Sequence, residues 1–137
     1  MITEYLDHVS GEPTLTGRTR QEWAVINMMQ RRTEAGVMDA VSAYFHHATP
    51  GLGPDIEGYQ NAEWGEHQRD RALAGMAYLD GVLAKRPYLA GDGFSVADIT
   101  AFIGLGFADF AKIEIPQNYV HLAARRARIA ERPSIAT

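Results

Sequence analysis

The chain has no cysteine. Its own residues therefore supply no disulfide, no thiolate-ligated zinc and no cysteine nucleophile. This fits a reducing compartment, and a cytoplasmic location is the expectation. The start, MITEYLDHV, lacks the basic region and long apolar core of a secretory leader. No apolar run approaches the roughly 20 residues of a membrane span, so no membrane partner is expected. No run alternates apolar and polar residues with period two, so no strand is expected. Positive charge is not in excess: 13 Lys and Arg stand against 17 Asp and Glu, a net charge of −4. Nothing there points to a nucleic-acid partner. The one basic cluster, Arg125-Arg126 with Arg128, reads as a solvated helix face.

Several chemistries are missing as well. Gly91-Asp92-Gly93 is a turn, since no phosphate-binding glycine pattern surrounds it. His46 and His47 are adjacent, so on a helix they point about 100° apart and chelate one ion poorly. His67 and His121 belong to no zinc-type spacing, so no metal site is expected. No residue is assigned a catalytic role.

What is present is helical. At 137 residues and 46% hydrophobic content, the chain forms one domain with a sizeable core. A short helical piece over 3–9 precedes a loop over 10–17. A long helix is expected over about 18–47, with Trp23, Ile26, Val37, Val41 and Phe45 at roughly helical spacing and Gly36 as a candidate bend. The segment 49–58, with two prolines and three glycines, ends it. A second long helix runs over about 61–85 with Ala72, Met76, Leu79 and Leu83 as its apolar stripe. A last one, over about 118–131, offers Leu122, Ala123, Ala127, Ile129 and Ala130. The expected fold is an all-α bundle of long antiparallel helices.

The stretch from Arg86 to Pro116 is the most specific. Ser95 and Asp98 have the spacing of a capping box, and Phe94 and Ile99 that of a hydrophobic staple. The helix that follows carries Asp98 and Asp109 as its only charges, so burial on most sides is expected. The Ser95/Asp98 pair is read as structural and not as a catalytic dyad.

Pro87-Tyr88-Leu89-Ala90-Gly91-Asp92 followed by Phe94-Ser95-Val96-Ala97-Asp98-Ile99-Thr100 resembles the C-terminal domain of the glutathione S-transferase family. Further matches follow in order: Tyr5-Leu6, Gln30 to Glu34, Phe45-His46-His47, Glu63 to Glu66 and Arg132-Pro133-Ser134. The resemblance implies a helical bundle of that type around the buried capped helix. Residues 1–17 are then the remnant of an inter-domain helix and linker, and 18–137 the helical domain. It implies glutathione as co-substrate, conjugated to hydrophobic electrophiles by thiolate attack. The thiol-activating residue of the family sits in a thioredoxin-like domain, of which this chain shows no pattern, so little activity is expected of the chain alone. In the family the first long helix lines the hydrophobic site and the dimer interface. Met28, Arg31, Arg32, Glu34, Ala35 and Met38 match that segment, and an arginine there is suited to a glutathione carboxylate. The bland alternative gives Arg31 and Arg32 ion pairs with Glu34 or Glu22 and puts the methionines in the core. A homodimer or another protein partner is expected. The competing function is a non-enzymatic helical module for protein interaction or hydrophobic ligands. Related sequences usually carry Trp where Met29 and Arg125 stand.

Overall fold

The computed structural model describes residues 2–9 and 11–136. Helix α1 spans Ile2–Val9, α2 Arg20–Thr33, α3 Asp39–Ala48, α4 Ala62–Leu83, α5 Val96–Phe110 and α6 Val120–Ala130. Among the described residues the sole β pairing is an isolated bridge between Tyr88 and Gly91. The fold is the all-α bundle expected.

The rod expected over 18–47 is α2 and α3 joined by one π-helical turn, Glu34–Met38. Its start is fixed by a capping box that the sequence reading passed over. Thr19 Oγ1 accepts the Glu22 amide at 3.1 Å, and the Glu22 carboxylate accepts the Thr19 and Arg18 amides. At the π turn the Asp39 amide donates to the Glu34 carbonyl, five residues back. Gly36 lies inside the π turn, the irregularity in the rod. It is where the rod crosses α4: a Cβ on Gly75 would overlap the Gly36 carbonyl oxygen. A second close crossing lies at the other end of the pair, where a Cβ on Gly65 would stand 2.6 Å from the Ala48 Cβ. Two near-backbone contacts thus set α4 antiparallel to the rod.

Val37 is fully buried between the two neighbouring helices. Cβ atoms on Gly75 of α4 and Gly104 of α5 would lie 3.2 and 3.1 Å from its two methyls. Around it the stripe Ala72, Met76, Leu79 and Leu83 meets Met29, Ala40 and Val41, and Ala97, Ala101, Leu105 and Ala108 of α5. Helix α6 starts on a cap supplied by α4: Asp80 Oδ1 accepts the His121 and Leu122 amides, both at 2.9 Å.

Helix α5 is buried on most sides, as expected, with Val96, Ala97, Asp98, Ala101, Gly104, Leu105 and Ala108 inside; one side stays open, where Ile103 is 54% and Phe110 69% exposed. Two expectations are corrected. Of the five apolar residues expected to bury α6, only Leu122 and Ile129 do so; Ala123, Ala127 and Ala130 face outward. Trp23 is exposed, and its indole N–H donates to Glu4 Oε1 at 3.1 Å.

That last bond ties α1 to α2, and Asn27 Nδ2 donates to the same oxygen. The stretch after α1 is fastened by Asp7. Its carboxylate accepts the amides of Thr14, Leu15 and Thr16 and the Thr16 hydroxyl, at 2.7–3.1 Å. The Leu15 carbonyl then accepts the Val96 amide at the start of α5.

Candidate functional site

Helix α2 and the π turn present a row of side chains at helical spacing. Met28 is 48% exposed, Arg31 and Ala35 are also exposed, and Met38 is half-buried where Gly104 of α5 approaches its backbone. Arg31 Nη1 donates to Glu34 Oε2 at 2.6 Å, and Gln30 Nε2 donates to the other Glu34 oxygen. Arg32 leaves this group. It turns to α4, where Nη1 donates to the Tyr78 hydroxyl at 2.8 Å and the guanidinium lies 5.2 Å from the ring centroid. Of the expected site residues, Met28, Arg31, Ala35 and Met38 therefore share one flank and Arg32 sits on another. Neither arginine pairs with Glu22, whose carboxylate is spent on the α2 cap.

The sequence reading missed the apolar strip beside this flank. Phe45 of α3 and Phe107 and Phe110 of α5 form one cluster, with centroids 5.6, 5.6 and 6.3 Å apart. Ile103 continues the strip, one residue from the glycine that meets the π turn. The signal was available: Ile103, Phe107 and Phe110 recur three and four positions apart on a helix with no polar face. Burial on most sides, the expectation for an all-round apolar helix, leaves one side open, and that side carries the strip.

Ser95 and Asp98 form the capping box. The Asp98 carboxylate accepts the Leu89 and Ser95 amides at 3.0 and 2.9 Å and the Ser95 hydroxyl at 3.1 Å. Burial pushes its carboxyl above the usual range, against the pull of those hydrogen bonds and of the Arg125 charge. The adjoining cavity is about 10 Å³, room for one water at most and for no substrate. Phe94, before the cap, lies edge-on to Tyr88 at 6.0 Å and under the Arg132 guanidinium at 3.9 Å. Arg125 is half-buried and stacks 4.5 Å over the Tyr88 ring. The Tyr88 face receives the guanidinium and its charge draws on the Asp98 carboxylate, while Nε and Nη1 are buried without a hydrogen-bond partner among the described residues.

A larger open cleft of about 820 Å³ lies between the end of α5 and α6, lined by Phe102, Ile113, Pro116, Leu122 and Ala127 among others. It has ligand dimensions, but none of the candidate residues lines it. Among the described residues no three His, Asp or Glu gather to hold a metal ion. No described helix is long and apolar enough to cross a membrane.

Comparison with known proteins places this arrangement. The family model "Glutathione S-transferase, C-terminal domain" matches residues 34–133. Glutathione S-transferase 2 of Saccharomyces cerevisiae is 56% identical over 134 residues, covering 98% of this chain and 58% of that protein. The crystal structure of Gtt2 from Saccharomyces cerevisiae superposes with a TM-score of 0.97 at 56% identity, over 98% of this chain and 65% of that one. A glutathione S-transferase of Methylobacillus flagellatus KT, solved with GSH bound, superposes with a TM-score of 0.80 at 27% identity, over 99% of this chain and 65% of that one. The chain thus spans less than two thirds of the length of these relatives. With its capped α5, its rod crossed by α4 and these matches along nearly its whole length, the chain belongs to the glutathione S-transferase family, in the region of that family's C-terminal domain.

Proposed function

We propose that this chain supplies the hydrophobic-substrate and subunit-contact half of a cytoplasmic glutathione transferase. In the reaction, the glutathione thiolate attacks an apolar electrophile. The sulfur lone pair forms the new bond, and the electrophile's leaving group or π electrons take up the displaced pair. The chain's part is to bind and orient the electrophile. Met28 and Met38 form an adaptable apolar wall. Arg31 meets a glutathione carboxylate by exchanging it for Glu34. The supporting observation is that this row lies beside the uncovered Ile103–Phe110 strip, in a chain 56% identical to a glutathione S-transferase. The strip takes the thioredoxin-like domain that the resemblance calls for, and the chain alone has little activity.

The test compares the purified chain with the same chain joined to the remaining part of the yeast relative. The chain alone should give no conjugation above background and no heat on titration with glutathione. The joined protein should conjugate, and Met28→Ala with Met38→Ala should raise KM for an apolar electrophile while leaving KM for glutathione in place. Conjugation by the isolated chain, or methionine variants with unchanged electrophile KM, would overturn the reading.

A further inference from the structure

The segment joining α3 to α4 is fastened by two adjacent histidines that make opposite demands on the proton. His46 Nδ1 stands 2.7 Å from Glu57 Oε1, so it must carry a hydrogen and donate. His47 Nδ1 receives the Asn61 backbone N–H at 3.1 Å, so it must carry none. Asn61 is the N-cap of α4, and its side chain accepts the Trp64 amide at 3.0 Å. The two histidines thus hold different points of one loop: His46 grips it at Glu57, and His47 grips the start of the next helix. A protonated His46 still donates to Glu57 and adds a charge to the bond. A protonated His47 loses the only lone pair that faces the Asn61 amide.

We propose that His47 is an acid-sensitive latch, which on protonation releases the Asn61 amide and loosens the start of α4 while the Glu57 anchor stays closed. The surroundings favour a local event. From the loop, the Glu57 carboxylate faces both rings, and the Tyr59 ring lies edge-on to His47 at 6.0 Å. From the start of α4, the Asn61 amide and the Gly65 backbone lie against His47. From its own helix, His46 meets the Phe45 ring, which leads to Phe107 and Phe110 of α5. Glu57 is held below the usual carboxylate range by the Leu52 amide and by His46, so it keeps its charge in the interval where histidine protonates. Gln60 bridges the two anchors by donating to the His46 and Thr49 carbonyls. Tyr59 and Trp64, on either side of the freed amide, are 73% and 47% exposed, and the buried Gly65–Ala48 contact stays closed.

The test is amide hydrogen exchange on the whole chain at about pH 8 and about pH 5, across the interval where histidine protonates, with each rate corrected to the unfolded chain. Protection of the Asn61 amide should fall about fivefold, the worth of one net hydrogen bond. Protection at Leu52, which donates to Glu57, should hold or rise, and that of Val41 and Leu79 should not change. His47→Gln keeps an acceptor that does not titrate, so its Asn61 protection should be the same at both pH values. The proposal fails if Asn61 protection does not change in the natural chain, if it falls together with Val41 and Leu79, or if His47→Gln shows the same loss.

Discussion

Gly75 of α4 and Gly36 of the π turn touch backbone to backbone, and a methyl on Gly75 would occupy the place of the Gly36 carbonyl oxygen. That carbonyl belongs to a helical ladder and has no room to move. Gly75→Ala should therefore cost about 1–3 kcal/mol through overpacking, seen as a lower denaturant midpoint. Gly81, on the same helix, is the control. It is exposed and nothing lies within 4 Å of a Cβ there. Gly81→Ala should gain up to about 1 kcal/mol by helix propensity alone. Equal effects at the two sites would mean that the crossing is not tight.

This contact shows where the sequence was readable and where it was not. The α4 stripe was legible because Ala72, Met76, Leu79 and Leu83 repeat at helical spacing, and all four are buried. The capped start of α5 was legible because Ser95 and Asp98 act over three residues. Gly36 was visible as an irregularity, but its reason lies on another helix, at Gly75, and no local pattern links the two. Arg32 was assigned to the site row by its position along α2. Its partner, Tyr78, is 46 residues away, and that distant hydroxyl decides which flank the side chain takes. The Thr19/Glu22 box was as local as the one on α5 and was open to the same reading.

Asp7 and Asp98 pull stability in opposite directions in acid. Burial alone would raise the Asp7 carboxyl, but the Thr16 hydroxyl and the amides of Thr14, Thr16 and Leu15 outweigh it and hold it below the ordinary range. Its folded value is depressed, so its contribution is full above the unfolded value near 3.8 and is lost as pH falls through the folded value. Asp7→Asn should lower stability at neutral pH by about 1–3 kcal/mol, since an amide cannot accept all these donors. The difference from the natural chain should narrow as pH falls through the folded value of Asp7, below which its carboxyl is protonated in both states. Thermal midpoints measured across that range check it, and a constant difference would mean that the charge of Asp7 plays no part.

For Asp98 the sign reverses. Its folded value is raised, so stability is highest below the unfolded value near 3.8 and declines as pH rises through the folded value. Arg125 limits that decline by offering a charge to the buried carboxylate. Arg125→Met should cost about 1–2 kcal/mol at neutral pH, combining the lost Tyr88 stack with the lost charge. The charge part should vanish in acid, where Asp98 is protonated, leaving only the stacking part. In Asp98→Asn the effect of Arg125→Met should be the same at both pH values. A penalty for Arg125→Met independent of pH in the natural background would separate Arg125 from Asp98.

The strip on α5 makes a prediction about association. Ile103 and Phe110 are large, apolar and more than half exposed, and Phe110 is held outward in a fixed aromatic cluster with Phe45 and Phe107. Such a surface gains by being covered, at about 25 cal/mol per Å² of apolar area. The isolated chain should therefore self-associate as its concentration rises, which sedimentation velocity reads directly. Replacing both residues, Ile103→Glu with Phe110→Glu, should return the chain to a monomer. The thermal midpoint should stay close to that of the natural chain, because neither side chain belongs to the buried core. A natural chain that stays monomeric at high concentration would show that the strip is tolerated in water. A double variant that loses its fold would show that the strip supports the core, which its exposure argues against.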